Sequence, residues 1–456
     1  LSKKYCSPRR ILGTIEYHNS FLKGFSPLTT LTDYQIVIRE LSERVVAAQK
    51  PIRVLDAIKW SSQVREQFFH DKCKKLPNVN TAYYLENNPL QFDPLQKIEE
   101  FHEIERSIRR KLGQYSGVGS IMQRMCREYV SVVQMLLARG TPRFTEVSQE
   151  LYGSSEDAFH IGAPTLKDLA LLVSNTLTNI KDQVLTEADV KLFTSEQAVQ
   201  ILSEKLGGYF SDRDHVRVEL SDGIVADASA GAERIKIHDG LMFSEREIRV
   251  FEIHEGWVHL GTTLNGMSQP VCTFLSKGPP SSTITQEGLG IIAEVFTFSS
   301  YPGRVKRLTN RITAVNMAED GADFLDVFHF YREQGIEEDD CYQHTTRVFR
   351  GSTPDGGPFT KDLSYTKGFI LIYNYIRLAV QRGLLSHIPL LFLGKTTLED
   401  IHILADLVEE NIVVPPKYVP PQFQDIAALS AWMCYSLFMN KLDLERLAID
   451  FKAILH

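Results

Sequence analysis

No Asn-x-Ser/Thr triplet occurs anywhere in this sequence, and its six cysteines (Cys6, Cys73, Cys126, Cys272, Cys341 and Cys434) are scattered without paired spacing. These two absences argue against a disulfide-stapled secreted scaffold and point to a reducing, cytosolic compartment. No apolar run reaches the ~18 residues that a bilayer span requires, and no signal-peptide pattern opens the chain. Positive charge is not in excess either. The net charge of −7 excludes a protein that binds polyanions with its whole surface, so an acidic partner must be met by a local basic patch. Internal repeats and low-complexity blocks are missing, which excludes a solenoid. The first residue is Leu1 rather than Met, so a preceding segment is expected. What is present is ordinary globular usage, 43% hydrophobic and 23% charged over 456 residues. That length suits two or three domains, or one catalytic unit with a helical addition.

Residues 1–28 gather Lys3, Lys4, Arg9 and Arg10 around Pro8 and read as a basic extended arm. Residues 29–160 form a helical region, with apolar residues at i, i+3/i+4 over 31–48, 52–70, 95–112 and 121–137. Pro51, Pro77, Pro89 and the glycines of 113–119 separate these segments. Two basic runs, 72–75 and 106–111, read as solvated helix faces. Residues 161–456 form the third region. Helices over 165–181 and 195–207 give way to alternating segments at 216–220, 224–226 and 234–238, which predict three short strands. Further helices are expected at 315–331, 364–381, 397–410, 423–440 and 442–455, with an acidic turn at 337–340. The fold class is therefore α+β, mostly helical, with a small antiparallel sheet.

The third strand leads into a helix that carries His254-Glu255-Gly256-Trp257-Val258-His259. It is one residue longer than the zinc-peptidase motif His-Glu-x-x-His. Ser244 and Glu247 form a capping box ahead of it, so the motif lies on a helix, with Gly261 as a candidate stop. Neutral imidazoles suit Zn²⁺, and a glutamate beside the first histidine can take a proton from an activated water. On a regular α-helix, however, residues five apart differ by roughly 140° around the axis. His254 and His259 can share one ion only if the helix is distorted, as by a π-type bulge. A third ligand is required. A second helix carries Glu287 and Glu294, seven residues and roughly 10.5 Å apart along its axis, so both cannot bind one ion. Glu287 is the expected ligand and Glu294 the reserve.

The pair HExxxH plus Gln286-Glu287-Gly288-Leu289-Gly290 resembles the microtubule-associated tyrosine carboxypeptidases and their bacterial relatives, which carry a QEGLA motif. The likeness runs from about His238 to Lys367 and takes in Arg347-Val348-Phe349-Arg350-Gly351 and Gly357-Pro358-Phe359-Thr360-Lys361-Asp362-Leu363. It implies a zincin-like metallopeptidase with one zinc ion, removing the C-terminal tyrosine of α-tubulin on microtubules in the cytoplasm, without nucleic-acid or membrane partners. Position 290 is Gly where the family has Ala, a small-for-small change expected to leave the ligands intact.

Glu255 is the expected general base and acid. His344, Tyr342 and Tyr365 are candidate donors to the oxyanion. A carboxypeptidase must also hold a free terminal carboxylate, for which the planar fork of arginine is suited. Arg347, Arg350, Lys361 and Tyr365 are the substrate-binding candidates, and a salt bridge to Asp339, Asp340 or Asp362 is the alternative use of those cations. Two other functions fit the same motif: a zinc peptidase of other polarity, such as a dipeptidyl peptidase, or a non-enzymatic microtubule-binding module with structural zinc. The intact Glu255 argues against the last, because a structural site needs no base.

Overall fold

The structure is a computed structural model that describes residues 31–180, 190–222, 224, 226–452 and 454. The basic arm at 1–28 lies outside these residues. The helical pattern of the first half is realised as Asp33–Gln49, Pro94–Leu112 and Gly117–Leu137, the first and second capped by Thr32 and Asp93. The expected 52–70 helix is two, Val54–Ile58 and Ser62–His70, because the chain is extended at Lys59 and Ser61. Two helices escaped the sequence reading, Thr81–Asn87 and Pro142–Tyr152. Both are short, and the second opens on a proline at its first turn, where the missing N–H costs nothing.

Helices dominate throughout, so the mostly helical α+β class holds. The strands are β1 (Phe193–Thr194), β2 (Arg217–Ser221), β3 (Ala228–Ala230), β4 (Arg234–His238) and β5 (Met242–Phe243). β1 pairs with β5, and β3 with β4, antiparallel; β2 runs parallel to β4 in the order β2-β4-β3. Alternation sets the register. Ile235 and Ile237 of β4 point into a buried cluster with Leu202, Leu206 and Phe251, facing Val218 and Leu220 of β2. The second of the three expected strands forms at Ala228–Ala230 rather than at Ile224, at the edge of this sheet, and packs against the motif helix.

The segment bearing the motif is one continuous helix in three parts. Glu245–Val250 is α-helical, Phe251–Leu260 is π-helical, and Gly261–Met267 is α-helical again. The capping box is present: Glu247 N–H donates to Ser244 Oγ at 3.2 Å, and Ser244 N–H donates to Glu247 Oε2 at 2.8 Å. Gly261 does not stop the helix, because its φ of −57° and ψ of −47° are right-handed.

Pro280–Phe296, the ligand helix, packs between the motif helix and Ser364–Gln381. Gly288 and Gly368 permit this close crossing: a Cβ on either would overlap the backbone of the other helix. One apolar cluster joins Ile38, Phe101 and Met122 to Ile253, Leu289 and Ile376, so helices from both sides of residue 160 share a core.

Downstream, the expected 315–331 helix is two, Pro302–Glu319 and Phe324–Glu333, broken by Gly321 at φ +97° and restarted by Asp323 as N-cap. The acidic run 337–340 is not a turn. It is the start of Glu338–Phe349, where three carboxylates face the positive end of the helix dipole. Among the described residues no helix is long and apolar enough to cross a membrane.

Candidate active site

The π-helical stretch resolves the geometric problem in the motif. Hydrogen bonding from i to i+5 widens the turn and returns residues five apart to one face. The rings of His254 and His259 lie 4.7 Å apart, centroid to centroid, at 82°. Glu287 reaches both from the ligand helix: its Oε2 is 3.2 Å from His254 Nε2 and 3.4 Å from His259 Nε2. One ligand atom from each residue lies within 4.8 Å of the others. Two imidazole nitrogens and a carboxylate oxygen meeting at a largely buried point can hold a divalent metal ion.

Glu294 is not at that point. Its Oε1 lies 2.7 Å from Nδ1 of His254, on the far side of the ring. The reserve assignment is therefore corrected. One imidazole spans the two carboxylates, with Nε2 toward Glu287 and Nδ1 toward Glu294. Arg304 grips Glu294 with two bonds, Nε to Oε2 at 3.1 Å and Nη2 to Oε1 at 2.9 Å. Burial opposes ionisation of Glu294, but Arg304 and His254 outweigh it and hold its carboxyl down at about 2. Burial likewise works against a charged His254, yet Glu287 and Glu294 prevail and raise its pKa to about 9. A carboxylate fixing the remote nitrogen of a ligating histidine sets its tautomer and direction. Glu294→Gln should weaken metal binding by about 10- to 100-fold, as a competition titration with a chelator would show, and should also lower thermal stability, because it leaves Arg304 without its carboxylate.

Gly290 seats the same ring. A Cβ at this position would overlap all the ring atoms nearest it, Nδ1, Cε1 and Nε2 of His254. With the imidazole placed as it is, position 290 has room only for hydrogen, and the three candidate ligands stay together beside this glycine.

A family model described as microtubule-associated tyrosine carboxypeptidase matches residues 66–441. The chain belongs to that family. A comparison with curated proteins gave no match.

Around the ligands, this tyrosine carboxypeptidase family member places its remaining chemistry unevenly. Glu255 is half-buried, and its Oε2 accepts from the Ala230 N–H of β3 at 2.9 Å. Tyr365 stacks on His254 with centroids 6.1 Å apart, and the Arg311 guanidinium lies 4.7 Å from its ring on that same tyrosine. Burial and the nearby Glu287 push the Tyr365 hydroxyl up to about 12, so it remains a proton donor. Tyr342 is elsewhere, packed among Phe68, Phe69 and Phe324, and is corrected to a core residue. His344 packs against Tyr331 with the rings tilted by 51°; burial, with Arg311 and Arg347, drives it down to about 3, so it is neutral.

The three candidate cations differ sharply. Arg347 is committed to Asp362 by two bonds, Nε to Oδ2 at 2.9 Å and Nη2 to Oδ1 at 2.7 Å. The salt-bridge alternative holds for it, though the pair is buried rather than superficial. Arg350 is only 9% exposed, and its guanidinium makes no hydrogen bond or ion pair with a described residue. Its Cζ sits 5.6 Å from the centre of the Phe359 ring. Lys361 Nζ is 3.8 Å from Glu287 Oε1.

Lys395 was missed altogether. Its Nζ donates to His259 O at 3.0 Å, Thr262 Oγ1 at 3.1 Å and Gln286 Oε1 at 2.9 Å. It thereby ties the end of the π-helical stretch to the residue beside Glu287. Arg304 was missed as well. Both are single basic residues in loops or helix starts far from either motif, and nothing in their local sequence marks them.

Proposed function

We propose that this chain is a zinc-dependent carboxypeptidase that removes the C-terminal tyrosine of α-tubulin on microtubules, acting in the cytoplasm. The observation that carries the reading is the meeting of His254, His259 and Glu287 across a π-helical turn, with Glu255 beside them. Ligand chemistry favours zinc: nitrogen and carboxylate donors, three from the protein, leave room for water. Bound zinc supplies a Lewis acid that makes an attacking water acidic near neutral pH.

The protein's own groups do the rest. Glu255, held by the Ala230 N–H, takes the proton from the attacking water and delivers it to the leaving amide nitrogen. Tyr365 stays protonated and donates to the developing oxyanion. Arg350 and Lys361 hold the terminal carboxylate, which an endopeptidase would have no need to find. Arg347, engaged with Asp362, braces this wall instead of touching substrate. An acidic, tyrosine-ended tail fits a site whose cations are gathered locally on a protein of net charge −7. The test is release of tyrosine from peptides ending in Glu-Glu-Tyr, lost on chelation and restored by zinc.

A further inference from the structure

The helix Ile426–Met439 carries no charged residue along its 14 residues. A helix that is apolar all round belongs in the interior of a protein or of an assembly, yet only one side of this one is covered. Leu429, Met433 and Ser436 are buried against Ser364–Gln381, where the first two join Ile372 and Ile376 in the main core and Ser436 bonds the Tyr373 hydroxyl. Spacings of four and three put these three on one face. Trp432, Tyr435, Phe438 and Met439 lie outside it, with Tyr435 71% and Phe438 65% exposed.

The exposed side has an order of its own. Ala428, Ala431, Tyr435, Phe438 and Leu442 recur at alternating steps of three and four, the period of a helix–helix seam. The seam begins with two alanines and ends with two aromatic rings. Two copies laid antiparallel about a two-fold axis at the level of Met433 set Ala428 against the partner's Phe438 and Ala431 against the partner's Tyr435. Small thus meets large at every level, and each contact is made twice, as a two-fold interface requires.

Charge agrees with a second copy as the occupant. Asp425 caps the start of the helix and Lys441 follows its end, so the antiparallel pairing brings each Asp425 toward the partner's Lys441. Just beyond the helix, Asp443, Glu445 and Asp450 balance Lys441, Arg446 and Lys452. Such balance suits a surface that meets itself, whereas an acidic protein or an anionic membrane calls for a basic excess. Area agrees as well. Trp432, Tyr435 and Phe438, each more than half exposed, offer about 350 Å² together, taking an aromatic side chain at about 150–250 Å². Met439, Leu442, Leu444, Ile449 and Phe451 extend this apolar surface along the turn and the helix that follow. The sum reaches the ~800 Å² that each partner gives to a stable interface and exceeds the roughly 300–600 Å² of the largest apolar patch on a monomer.

We infer that the exposed face of Ile426–Met439 is a homodimer interface, closed by the same helix of a second copy running antiparallel to it. The inference stands apart from the peptidase reading.

The experiment is sedimentation equilibrium of the full chain at micromolar concentration, for the parent and for Ala428→Arg and Phe438→Glu, with circular dichroism as the control for folding. The parent should sediment at twice the 51.8 kDa of one chain. Each substitution is at an exposed position and puts an unpaired charge into the seam, so each should raise the dissociation constant at least about tenfold. The two sit at opposite ends of the helix, and either decides alone should the other fail to fold. Direction is read separately. In a Cys6→Ser background a short bis-maleimide should join two copies through Cys434, which is exposed and next to the axis, and should not do so in Cys434→Ser. A monomeric parent would overturn the interface, and microtubule pelleting weakened by Phe438→Glu would then assign the face to the microtubule. A dimer that persists in both folded variants would overturn it too, and a dimer without the Cys434 cross-link would overturn the antiparallel pairing.

Discussion

Glu255→Gln should lower turnover by at least about 10³-fold while leaving zinc content and fold unchanged, since general acid–base catalysis contributes on the order of 10²–10⁴ and this group serves in both directions. The amide keeps the shape of the carboxylate and can still meet the Ala230 N–H through its oxygen. It cannot take a proton from water. The histidines and Glu287 are untouched by the change, so a metal assay separates loss of chemistry from loss of the site. Activity near the parent level would reject the assignment of Glu255.

The second large effect concerns the terminal carboxylate. Arg350→Ala should reduce kcat/KM on free-ended peptides by about 30- to 150-fold, the equivalent of roughly 2–3 kcal/mol for a charge-assisted bond in a dry site. The effect should appear with less loss of stability than at a paired arginine, because the buried Nε has no hydrogen-bond partner among the described residues to abandon. Arg347→Ala should behave differently. It strands the Asp362 carboxylate, which Arg347 and Arg311 hold far below its usual range against the pull of burial. Breaking a buried pair from one side costs about 3–5 kcal/mol, so thermal stability should fall along with activity. The contrast is the test. Equal stability losses in both variants, or unaltered kinetics in Arg350→Ala, would place carboxylate recognition elsewhere.

The candidate ligands were legible in the sequence because their chemistry is local. His254 and His259 share one helix, Glu287 lies midway along Pro280–Phe296, and the need for a distorted turn follows from helix geometry alone. Sequence alone could not rank Glu287 against Glu294 structurally, since both lie on one helix face. Only three-dimensional placement shows that one meets Nε2 and the other Nδ1 of a single ring. Partners that arrive from distant sequence, such as Arg304 and Lys395, carry no local signature. The same limit explains the cations: Arg347 and Arg350 look equivalent in sequence, and their difference is the position of Asp362. Helix boundaries are hidden where a single backbone reversal decides them, as at Gly321, and where an acidic run such as 337–340 suits a helix start as well as a turn.

The most direct measurement compares two zinc-loaded reactions on the same acidic peptide ending in Glu-Glu-Tyr, one with a free C-terminus and one amidated, followed by mass. The account predicts loss of one tyrosine from the free peptide, none from the amidated one, and none from either with Glu255→Gln. Equal cleavage of both peptides, or release of an N-terminal dipeptide, would contradict it.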